Sequence, residues 1–528
     1  LRVGKQDPSW ITLTQSRCSE MTRKWVKISL PFILSLLVLN GCSGGAGKET
    51  EETADGTGTA AEAEAGPLPI EIMTNFTNTI PKLDNAYYSE LQKLTNTKLN
   101  ITFVLDGSDY NSKLDLVLAS GDIPEVLKAD FTRPTLVNAI KEGAFWDLTP
   151  FLGDFSSYPN LRDNMVPGSW NYVKYDGKIM GIPRSRAQID NTIMIRKDWL
   201  DKANIPMPAT VDEFKEALKA VVKSNPAGGN GTIGYDIADA VSSPSLNAAF
   251  GVPEPTYDAD GGLMYSYLTP QFTELVEWFR ELYAEGLIAK EFSALTVTQQ
   301  KDLFSSGRAF AFDASAYYSF VYTDNVKKTQ PEGNVVSLQP LKGPGGDGAM
   351  LDIGTRGGQY ISKKVPEEKV SKILDFFEKT ASREITDLGY YGKEGVHYNN
   401  VNGEKVLTDL GKQEITVDSI AALTPAYSKW GKVAYAGASK AANEAKQKDM
   451  EIYGQIGRTD VFGYLYSPTW VDVWPTYEAE LKSTRIKAIV GQITMDQYKQ
   501  YVDKVNADPK IKNAYQEFAK DLKSRTQQ

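Results

Sequence analysis

Between residues 69 and 129, segments with the sequence pattern of strands alternate with segments that have the pattern of helices. Residues 69–73, 101–105 and 125–129 have the short apolar pattern of strands, and residues 87–94 and 111–119 have the pattern of helices. Strands that alternate with helices are typical of a parallel sheet in an α/β layer. The sequence therefore predicts the α/β fold class.

Helix starts are clearer further along the chain. Thr210-x-x-Glu forms a capping box, and the Thr-Pro pair at 269–270 supplies an N-cap followed by a first helical residue. A third helix is predicted to begin at Pro366, and the chain after Pro475 is predicted to be mostly helical. After the helix starts at Thr210, Thr269 and Pro366, apolar residues recur at helical spacing, which predicts helices with one buried face.

The N-terminal part of the chain has the organisation of a secretory signal. Three basic residues at positions 23–27 precede or adjoin an apolar run at 28–39, which is too short to span a membrane. The run ends in Leu-Asn-Gly-Cys at 39–42, which resembles the lipobox of bacterial lipoproteins, although Asn40 is less usual there than Ala, Ser or Thr. The resemblance implies cleavage before Cys42 and lipidation of that cysteine. The alternative is an ordinary secretory signal that contains a cysteine.

Two further N-terminal segments stand apart from the folded body. Residues 43–66 are mostly Gly, Ala, Thr and Glu without an aromatic residue, so they do not bury enough apolar surface to fold. We therefore expect a disordered tether behind Cys42. Residues 1–20 do not fit a secretory signal, because they place acidic residues before the basic segment at 23–27, which follows Met21. We expect a misassigned upstream extension there; the alternative is an unusually long n-region.

The remaining residues, 67–528, are too many for one ordinary hydrophobic core and predict two domains. The net charge of the chain is −9, which gives no reason to expect nucleic acid as a partner. Both cysteines lie at or before the lipobox, so the body has no disulfide. This is compatible with export, because a large core does not need such a bond.

The single histidine of the chain, His397, argues against several chemistries. A Ser-His-Asp triad would need it beside a serine and a carboxylate, and a zinc site needs several His or Cys ligands. We therefore expect a protein that is not an enzyme and has no cofactor, with His397 in a structural or rim position. The 27 Tyr and 9 Trp instead supply amphipathic rings of the kind that stack on sugars, although most of them will pack in the protein.

Five groups of residues, in order along 67–528, resemble the extracellular solute-binding proteins of bacterial ABC importers. Within family 1 of these solute-binding proteins, the nearest group is the large sugar-binding lipoproteins of Paenibacillus-type Gram-positive bacteria. The matching segments are Asp-Gly-Lys-Ile-Met-Gly-Ile-Pro at 176–183, Arg-Lys-Asp-Trp-Leu at 196–200 with Pro-Ala-Thr-Val-Asp-Glu-Phe at 208–214, Gly-Arg-Ala-Phe at 307–310, Gly-Lys-Glu-Gly-Val-His-Tyr at 392–398, and Phe-Gly at 462–463 with Ser-Pro-Thr at 467–469. Single matches are weak, but five in register are specific.

The resemblance implies a periplasmic-binding-protein-like type II fold. In this fold two α/β lobes are joined by two or three crossing strands at a hinge, and a ligand binds in the cleft between them. The segments we expect are a misassigned extension at 1–20, a lipoprotein signal peptide at 21–41, the lipidated cysteine and tether at 42–66, an N-terminal lobe at 67–190 plus 346–425, and a C-terminal lobe at 191–345 plus 426–528.

One segment departs from the pattern of the family. Many relatives carry a calcium loop rich in aspartate after the capping-box helix, but the aspartates are missing from 225–234. Calcium needs several oxygen ligands, usually carboxylates, and Asn225 and Asn230 are poor replacements. Asp236 could contribute one ligand. We expect no metal at this loop.

Ligand-binding residues should lie on loops at the carboxyl ends of strands, where open α/β sheets place ligands. The candidates are Asn75, Asp130, Trp170, Arg184, Tyr317, Tyr318, Trp470 and Trp474. Each has an alternative role: Asn75 in a turn, Asp130 as a helix cap, Arg184 in an interlobe salt bridge, and the rings in packing. Arg184 could bond sugar hydroxyls or pair with a uronate.

The sequence and the resemblance together predict a lipid-anchored binding protein on the extracellular face of a Gram-positive cell membrane. It would be a monomer that captures an oligosaccharide and delivers it to the transmembrane subunits of an ABC permease. A peptide or another small solute is the alternative ligand, because a fold does not fix a function. An anchored glycoside hydrolase is a further alternative, which would need a pair of carboxylates about 5–10 Å apart in the cleft.

Overall fold

The computed structural model describes residues 66–526, apart from 77–79, 167, 187, 190, 230, 238–242, 416–422 and 424–437. The predicted signal peptide, Cys42 and nearly all of the predicted tether lie outside these residues. Within them, no helix has the length and apolar character that crossing a bilayer would require.

Two main sheets and several short strand pairs make up the β-structure. The strands of the described residues are β1 (Leu68–Phe76), β2 (Thr97–Leu105), β3 (Val126–Ala129), β4 (Lys174–Tyr175), β5 (Lys178–Ile179), β6 (Ile182–Ser185), β7 (Asn191–Arg196), β8 (Ile233–Asp236), β9 (Ala309–Ser315), β10 (Val335–Ser337), β11 (Leu341–Gly343), β12 (Gly346–Gly348), β13 (Met350–Leu351), β14 (Thr355–Ile361), β15 (Tyr398–Val401), β16 (Glu404–Leu407) and β17 (Arg458–Thr459).

Helices cover the sheets and form most of the C-terminal part. They are α1 (Ala86–Thr95), α2 (Ser108–Ser120), α3 (Pro134–Lys141), α4 (Thr149–Leu152), α5 (Pro159–Asp163), α6 (Ser169–Tyr172), α7 (Lys197–Lys202), α8 (Val211–Ser224), α9 (Pro244–Ala249), α10 (Pro270–Ala284), α11 (Val297–Ser305), α12 (Ser319–Lys327), α13 (Glu367–Thr380), α14 (Arg383–Tyr391), α15 (Asp409–Glu414), α16 (Lys440–Ile456), α17 (Pro468–Ile489), α18 (Met495–Asn506) and α19 (Pro509–Thr526). Short 3₁₀ helices lie at Ser266–Leu268, Phe292–Ala294, Ala316–Tyr318 and Val461–Gly463.

The first sheet has the strand order β2-β1-β3-β14-β6. Its first three strands are parallel, with Ile72 opposite both Ile101 and Val126, so the predicted parallel arrangement is confirmed for them. Strand β14 is antiparallel to both β3 and β6, which the alternation near the start of the body did not predict. Both faces of the sheet are covered, because Ile72 packs in one core cluster and Met73 in another.

The second sheet has the strand order β10-β7-β9-β8. Strands β8 and β9 are parallel, whereas β7 is antiparallel to both of its neighbours. The chain passes from the first sheet to the second between β6 and β7, and it returns between β10 and β14. Strands β13 and β17 pair in parallel between distant parts of the chain. The lobe boundaries given above stay predictions.

The helix starts follow the capping residues that the sequence contains. Thr210 accepts a hydrogen bond from the backbone N–H of Glu213, as a capping box requires, but the Glu213 carboxylate accepts from the N–H of Ala209 instead of Thr210. Thr269 caps the helix that begins at Pro270, as predicted. The chain after Pro475 is mostly helical, as predicted, and Pro475 itself lies inside α17, which begins at Pro468.

Two of the five segments that resemble the family have structural roles in the fold. Asp176 and Gly177 both have positive φ, at 49° and 78°, and form the two-residue turn of the hairpin that joins β4 to β5. In the second segment the fully buried Arg196 donates two hydrogen bonds to Asp198, at 2.9 and 2.6 Å, and its guanidinium lies 4.2 Å from the Trp199 ring centre. These residues therefore fix turns and core contacts.

Candidate functional site

A cavity of about 850 Å³ is lined by residues that follow strands of both sheets. Asn75, Asp106 and Asp130 lie at or just after the carboxyl ends of β1, β2 and β3, and Ser315 ends β9. The segment at 350–357, which includes β13, supplies further lining residues. The parallel strands thus place polar side chains at one edge, as open α/β sheets do.

Four of the eight sequence-predicted residues line this cavity: Asn75, Asp130, Arg184 and Tyr318. The backbone of Tyr317 lies in the same 3₁₀ helix as Tyr318, but its side chain lies outside the described part of the structure. The other three, Trp170, Trp470 and Trp474, are not among the described lining residues.

Trp170 is engaged in local packing. Its ring lies edge-on to Phe155 with the ring centres 4.9 Å apart, and its indole N–H donates to the carbonyl oxygen of Leu161 at 3.3 Å. A buried tryptophan usually finds such an acceptor for its N–H. These contacts and its packing against the main core cluster fit the alternative packing role.

Trp470 and Trp474 support the cavity wall from behind. Four residues apart on α17, they lie on one helix face and stack with ring centres 4.3 Å apart at 14°. Both rings pack on Tyr265, at 4.6 and 4.9 Å, and Tyr265 itself lines the cavity next to Phe462. Besides the predicted Tyr318, the described lining includes the rings of Tyr265, Tyr267 and Phe462, which the sequence did not single out as ligand-binding residues.

Buried basic side chains, together with Asn75, Asp106 and Asp130, line the cavity on the side of the first sheet. Lys128 on β3 and Arg184 on β6 line the cavity, and so does Arg186 just after β6; all three are buried. The Lys128 ammonium lies 3.3 Å from Asp130, whose side chain is 63% exposed. Burial lowers the pKa of Lys128; the carboxylate of Asp130 opposes this shift and the positive charge of Arg184 adds to it.

Other polar groups of the cavity are held by neighbours. Asp460 accepts hydrogen bonds from the hydroxyl of Ser266 at 3.1 Å and from the backbone N–H of Phe462 at 3.0 Å, while burial raises its pKa. Asp352 forms an ion pair with Arg356 at 3.0 Å. The cavity therefore combines aromatic faces with fixed donors and acceptors, the composition of a small-molecule binding site.

A second cavity of about 730 Å³ adjoins the first. The two cavities share Ser315 and Tyr318 as lining residues. Its other walls come from α11, α12 and the end of β9.

The segment at 225–234 closes on itself through side chains. Asn225 adopts a left-handed conformation at the end of α8, and its side-chain oxygen accepts from the Thr232 hydroxyl at 3.0 Å. That hydroxyl in turn accepts from the N–H of Ala227 at 3.1 Å. Among the residues that the structure describes, no group of three or more His, Cys, Asp and Glu side chains is arranged to hold a metal ion. The absence of calcium stays a prediction.

His397 lies outside the cavity lining and is fully buried. Its Nδ1 accepts from the backbone N–H of Lys393 at 2.8 Å, and its Nε2 lies 3.0 Å from the Glu414 carboxylate. A Cβ on Gly392 would approach the ring to 2.5 Å, so glycine is required there. The histidine thus joins the turn before β15 to α15.

The model of one protein family, the bacterial extracellular solute-binding proteins, matches residues 86–384. Over 392 residues the chain is 30% identical to the polygalacturonan/rhamnogalacturonan-binding protein YtcQ of Bacillus subtilis (strain 168), an alignment that covers 72% of this chain and 75% of YtcQ. The chain belongs to the bacterial extracellular solute-binding protein family. Family members and relatives of this kind are substrate-binding proteins rather than enzymes.

Two further relatives support the membership of this solute-binding protein. Lipoprotein LipO of Bacillus subtilis (strain 168) is 28% identical over 405 residues, covering 74% of this chain and 76% of LipO. The fructooligosaccharide ABC transporter substrate-binding protein FusA of Streptococcus pneumoniae serotype 4 is 26% identical over 285 residues, covering 49% and 51%. The structure of FusA with kestose aligns with a TM-score of 0.56 at 17% identity over 87% of this chain and 100% of FusA. The predicted two-lobed fold is confirmed.

Proposed function

We propose that this solute-binding protein captures an oligosaccharide outside the cell and delivers it to the permease of an ABC importer. The observation that carries the proposal is the cavity at the edge of both sheets, which is lined by the rings of Tyr265, Tyr267 and Phe462 together with Asn75 and charged residues of the first sheet. Sugars present apolar faces and hydroxyl edges, so a ligand site for them needs rings and fixed hydrogen-bonding groups together.

The size of the cavity supports a ligand larger than one sugar unit. Ligand sites commonly enclose about 300–1,000 Å³, and this cavity lies near the upper end of that range. The second cavity, of about 730 Å³, shares Ser315 and Tyr318 with it as lining residues. The names of YtcQ and FusA state that those relatives bind polysaccharides or oligosaccharides, which supports carbohydrate as the ligand class here.

Lipid attachment at Cys42 and an extracellular position on a Gram-positive cell membrane complete the proposal. The lipobox at 39–42 and the tether behind it support the anchor, and the relative LipO is a lipoprotein. A tether of about 24 flexible residues reaches roughly 25–30 Å, enough to let a monomeric body meet a permease in the same membrane. The protein would hold its ligand without changing it.

A screen of melting temperatures tests this function. The full-length protein is mixed in turn with plant, fungal and bacterial oligosaccharides and with peptides. A cognate oligosaccharide at about 100 times its dissociation constant should stabilise the protein by roughly 2.7 kcal/mol and be recovered intact by chromatography. Cleavage of the sugar would instead identify a hydrolase, and shifts produced by peptides alone would contradict the carbohydrate proposal.

A matched pair of variants locates the site. Asn75→Ala should weaken oligosaccharide binding about 5- to 150-fold, because loss of a buried hydrogen-bonding partner costs about 1–3 kcal/mol. Asn111→Ala, on the exposed face of α2, is the control and should bind like the unaltered protein. Equal affinities for both variants would place the ligand elsewhere.

A further inference from the structure

The ring of Tyr265, which lines the cavity, is packed against four other aromatic rings. The distances between ring centres are 4.6 Å to Trp470, 4.9 Å to Trp474, 5.3 Å to Phe462 and 5.4 Å to Tyr267. Tilted and edge-on aromatic pairs at such distances attract each other beyond the apolar area that they bury. The position of the Tyr265 ring is therefore set by neighbours that belong to several segments of the chain.

The two tryptophans in this group are themselves anchored. They stack on each other with ring centres 4.3 Å apart, and the Trp470 ring lies 5.4 Å from Phe518 on α19. The first turn of α17 is tied to α19 as well, because Ser467 accepts from the N–H of Trp470 at 2.9 Å and its hydroxyl donates to Glu517 at 2.5 Å. The tryptophan pair thus forms a fixed support for Tyr265.

Hydrogen bonds hold the backbone on both sides of Tyr265. The N–H of Met264 donates to the carbonyl oxygen of Thr256 at 2.8 Å, and the carbonyl oxygen of Ser266 accepts from the Thr269 hydroxyl at 2.8 Å. With the backbone fixed in this way, the orientation of the ring is decided by what packs against it. A ring that is already oriented loses less conformational freedom when a ligand settles on it.

We propose that Trp470 and Trp474 are positioning residues, which hold the ring of Tyr265 in the orientation that receives an apolar face of the bound sugar. The proposal rests on the proposed function, because it assigns roles within the same cavity. Neither tryptophan is among the described lining residues, so both act through Tyr265 and not on the sugar itself.

Two tryptophans at different places in the fold provide a matched comparison. Trp474 packs on Tyr265, whereas Trp170 packs on Phe155, and both side chains are half-buried. Calorimetric titration of the full-length protein uses whichever of trigalacturonate, kestose and maltotriose most raises its melting temperature. Trp474→Leu should weaken binding of that sugar about 2- to 12-fold, the affinity equivalent of immobilising one side chain on binding.

The control and a conservative variant separate positioning from general packing. Trp170→Leu should lower the melting temperature, as Trp474→Leu should, but bind the sugar like the unaltered protein. Trp474→Phe should retain most of the affinity, because it keeps a ring against Tyr265. Circular dichroism shows whether each variant folds, and Trp474→Met replaces Trp474→Leu if the latter does not.

A double-mutant cycle tests whether Trp474 acts through Tyr265. Tyr265→Ala should weaken binding about fivefold or more, as truncation of an important aromatic contact does. In the Tyr265→Ala background, Trp474→Leu should cause no further loss, because no ring is left to position.

Three results would overturn the positioning role. They are unchanged affinity in Trp474→Leu, equal losses of affinity in Trp474→Leu and Trp170→Leu, and the same loss from Trp474→Leu with and without the ring of Tyr265. Each of these leaves the proposed capture of an oligosaccharide standing. If none of the three sugars binds and peptides do, both proposals fall together.

Discussion

A buried carboxyl group predicts an unusual dependence of stability on pH. Asp236, the last residue of β8, is fully buried, and neither of its side-chain oxygens has a hydrogen-bond donor among the residues that the structure describes. Burial, with a smaller contribution from the negative charge of Glu291, raises the pKa of Asp236 to about 7. Asp236→Asn removes the charge and keeps the shape.

The magnitude follows from the difference in pKa between the folded and unfolded chain. An unperturbed Asp has a pKa of about 3.9, so between that value and about 7 the folded state holds a proton that the unfolded state has lost. The stability contributed by this proton is present at low pH and disappears as the pH rises through 7. Linkage gives a loss of about 2 to 3 kcal/mol in the free energy of unfolding between about pH 5 and about pH 8.

Urea unfolding at the two pH values measures this loss. The unfolding free energy of the unaltered protein should fall between about pH 5 and about pH 8 by about 2 to 3 kcal/mol more than that of Asp236→Asn. Asp324→Asn, at an exposed carboxylate on α12, is the control and should leave the difference unchanged. Because each variant is compared with the unaltered protein, the other titrating groups cancel. Equal pH dependence in Asp236→Asn and the unaltered protein would refute the reasoning.

Three further predictions concern the anchor, the loop at 225–234 and the core. Cys42→Ala should abolish incorporation of radiolabelled palmitate and release the protein or leave it unprocessed; equal labelling of the variant would contradict lipidation. Thermal melts with calcium and with chelator should overlay, whereas a midpoint rise with calcium that is lost on changing Asn230 would reveal a site. Arg196→Met should lower the unfolding free energy by about 3–5 kcal/mol, because it leaves the Asp198 carboxylate without its buried partner. Chemical denaturation measures this loss, and a loss below about 1 kcal/mol would contradict the prediction.

Much of the fold could be predicted because local patterns agree with it. The strands predicted at 69–73 and 101–105 lie within the longer observed β1 and β2, and the N-cap at Thr269 is as expected. The antiparallel strands β14 and β6 could not be found this way, because their partners are distant in sequence. The helical tail after Pro475 is also as predicted, and α17 begins before it, at Pro468.

Recognition of the family and recognition of the site depended on different residues. The segments that carried the resemblance include Asp176-Gly177, which makes a turn, and Arg196 with Asp198, which makes a buried ion pair. Such residues follow from the backbone and core that relatives share, so they identify the fold without naming a ligand.

Strand ends were a useful guide to the lining of the cavity, whereas the three predicted tryptophans are not among its described lining residues. Asn75 and Arg184 line the cavity because they lie at the ends of β1 and β6. Trp470 was an attractive candidate from residue type alone, but the structure packs it behind Tyr265. Tyr265 lies just before a 3₁₀ helix, where no periodic pattern marks its position, so only the tertiary structure brings it to the cavity.

A crystal structure of the protein with the oligosaccharide that most raises its melting temperature tests the central claim most directly. The account predicts a sugar in the cavity of about 850 Å³, with a ring face on Tyr265 or Phe462 and polar groups within hydrogen-bonding distance of Asn75 and Arg184. A sugar bound anywhere else on the protein, with this cavity free of it, would contradict the account.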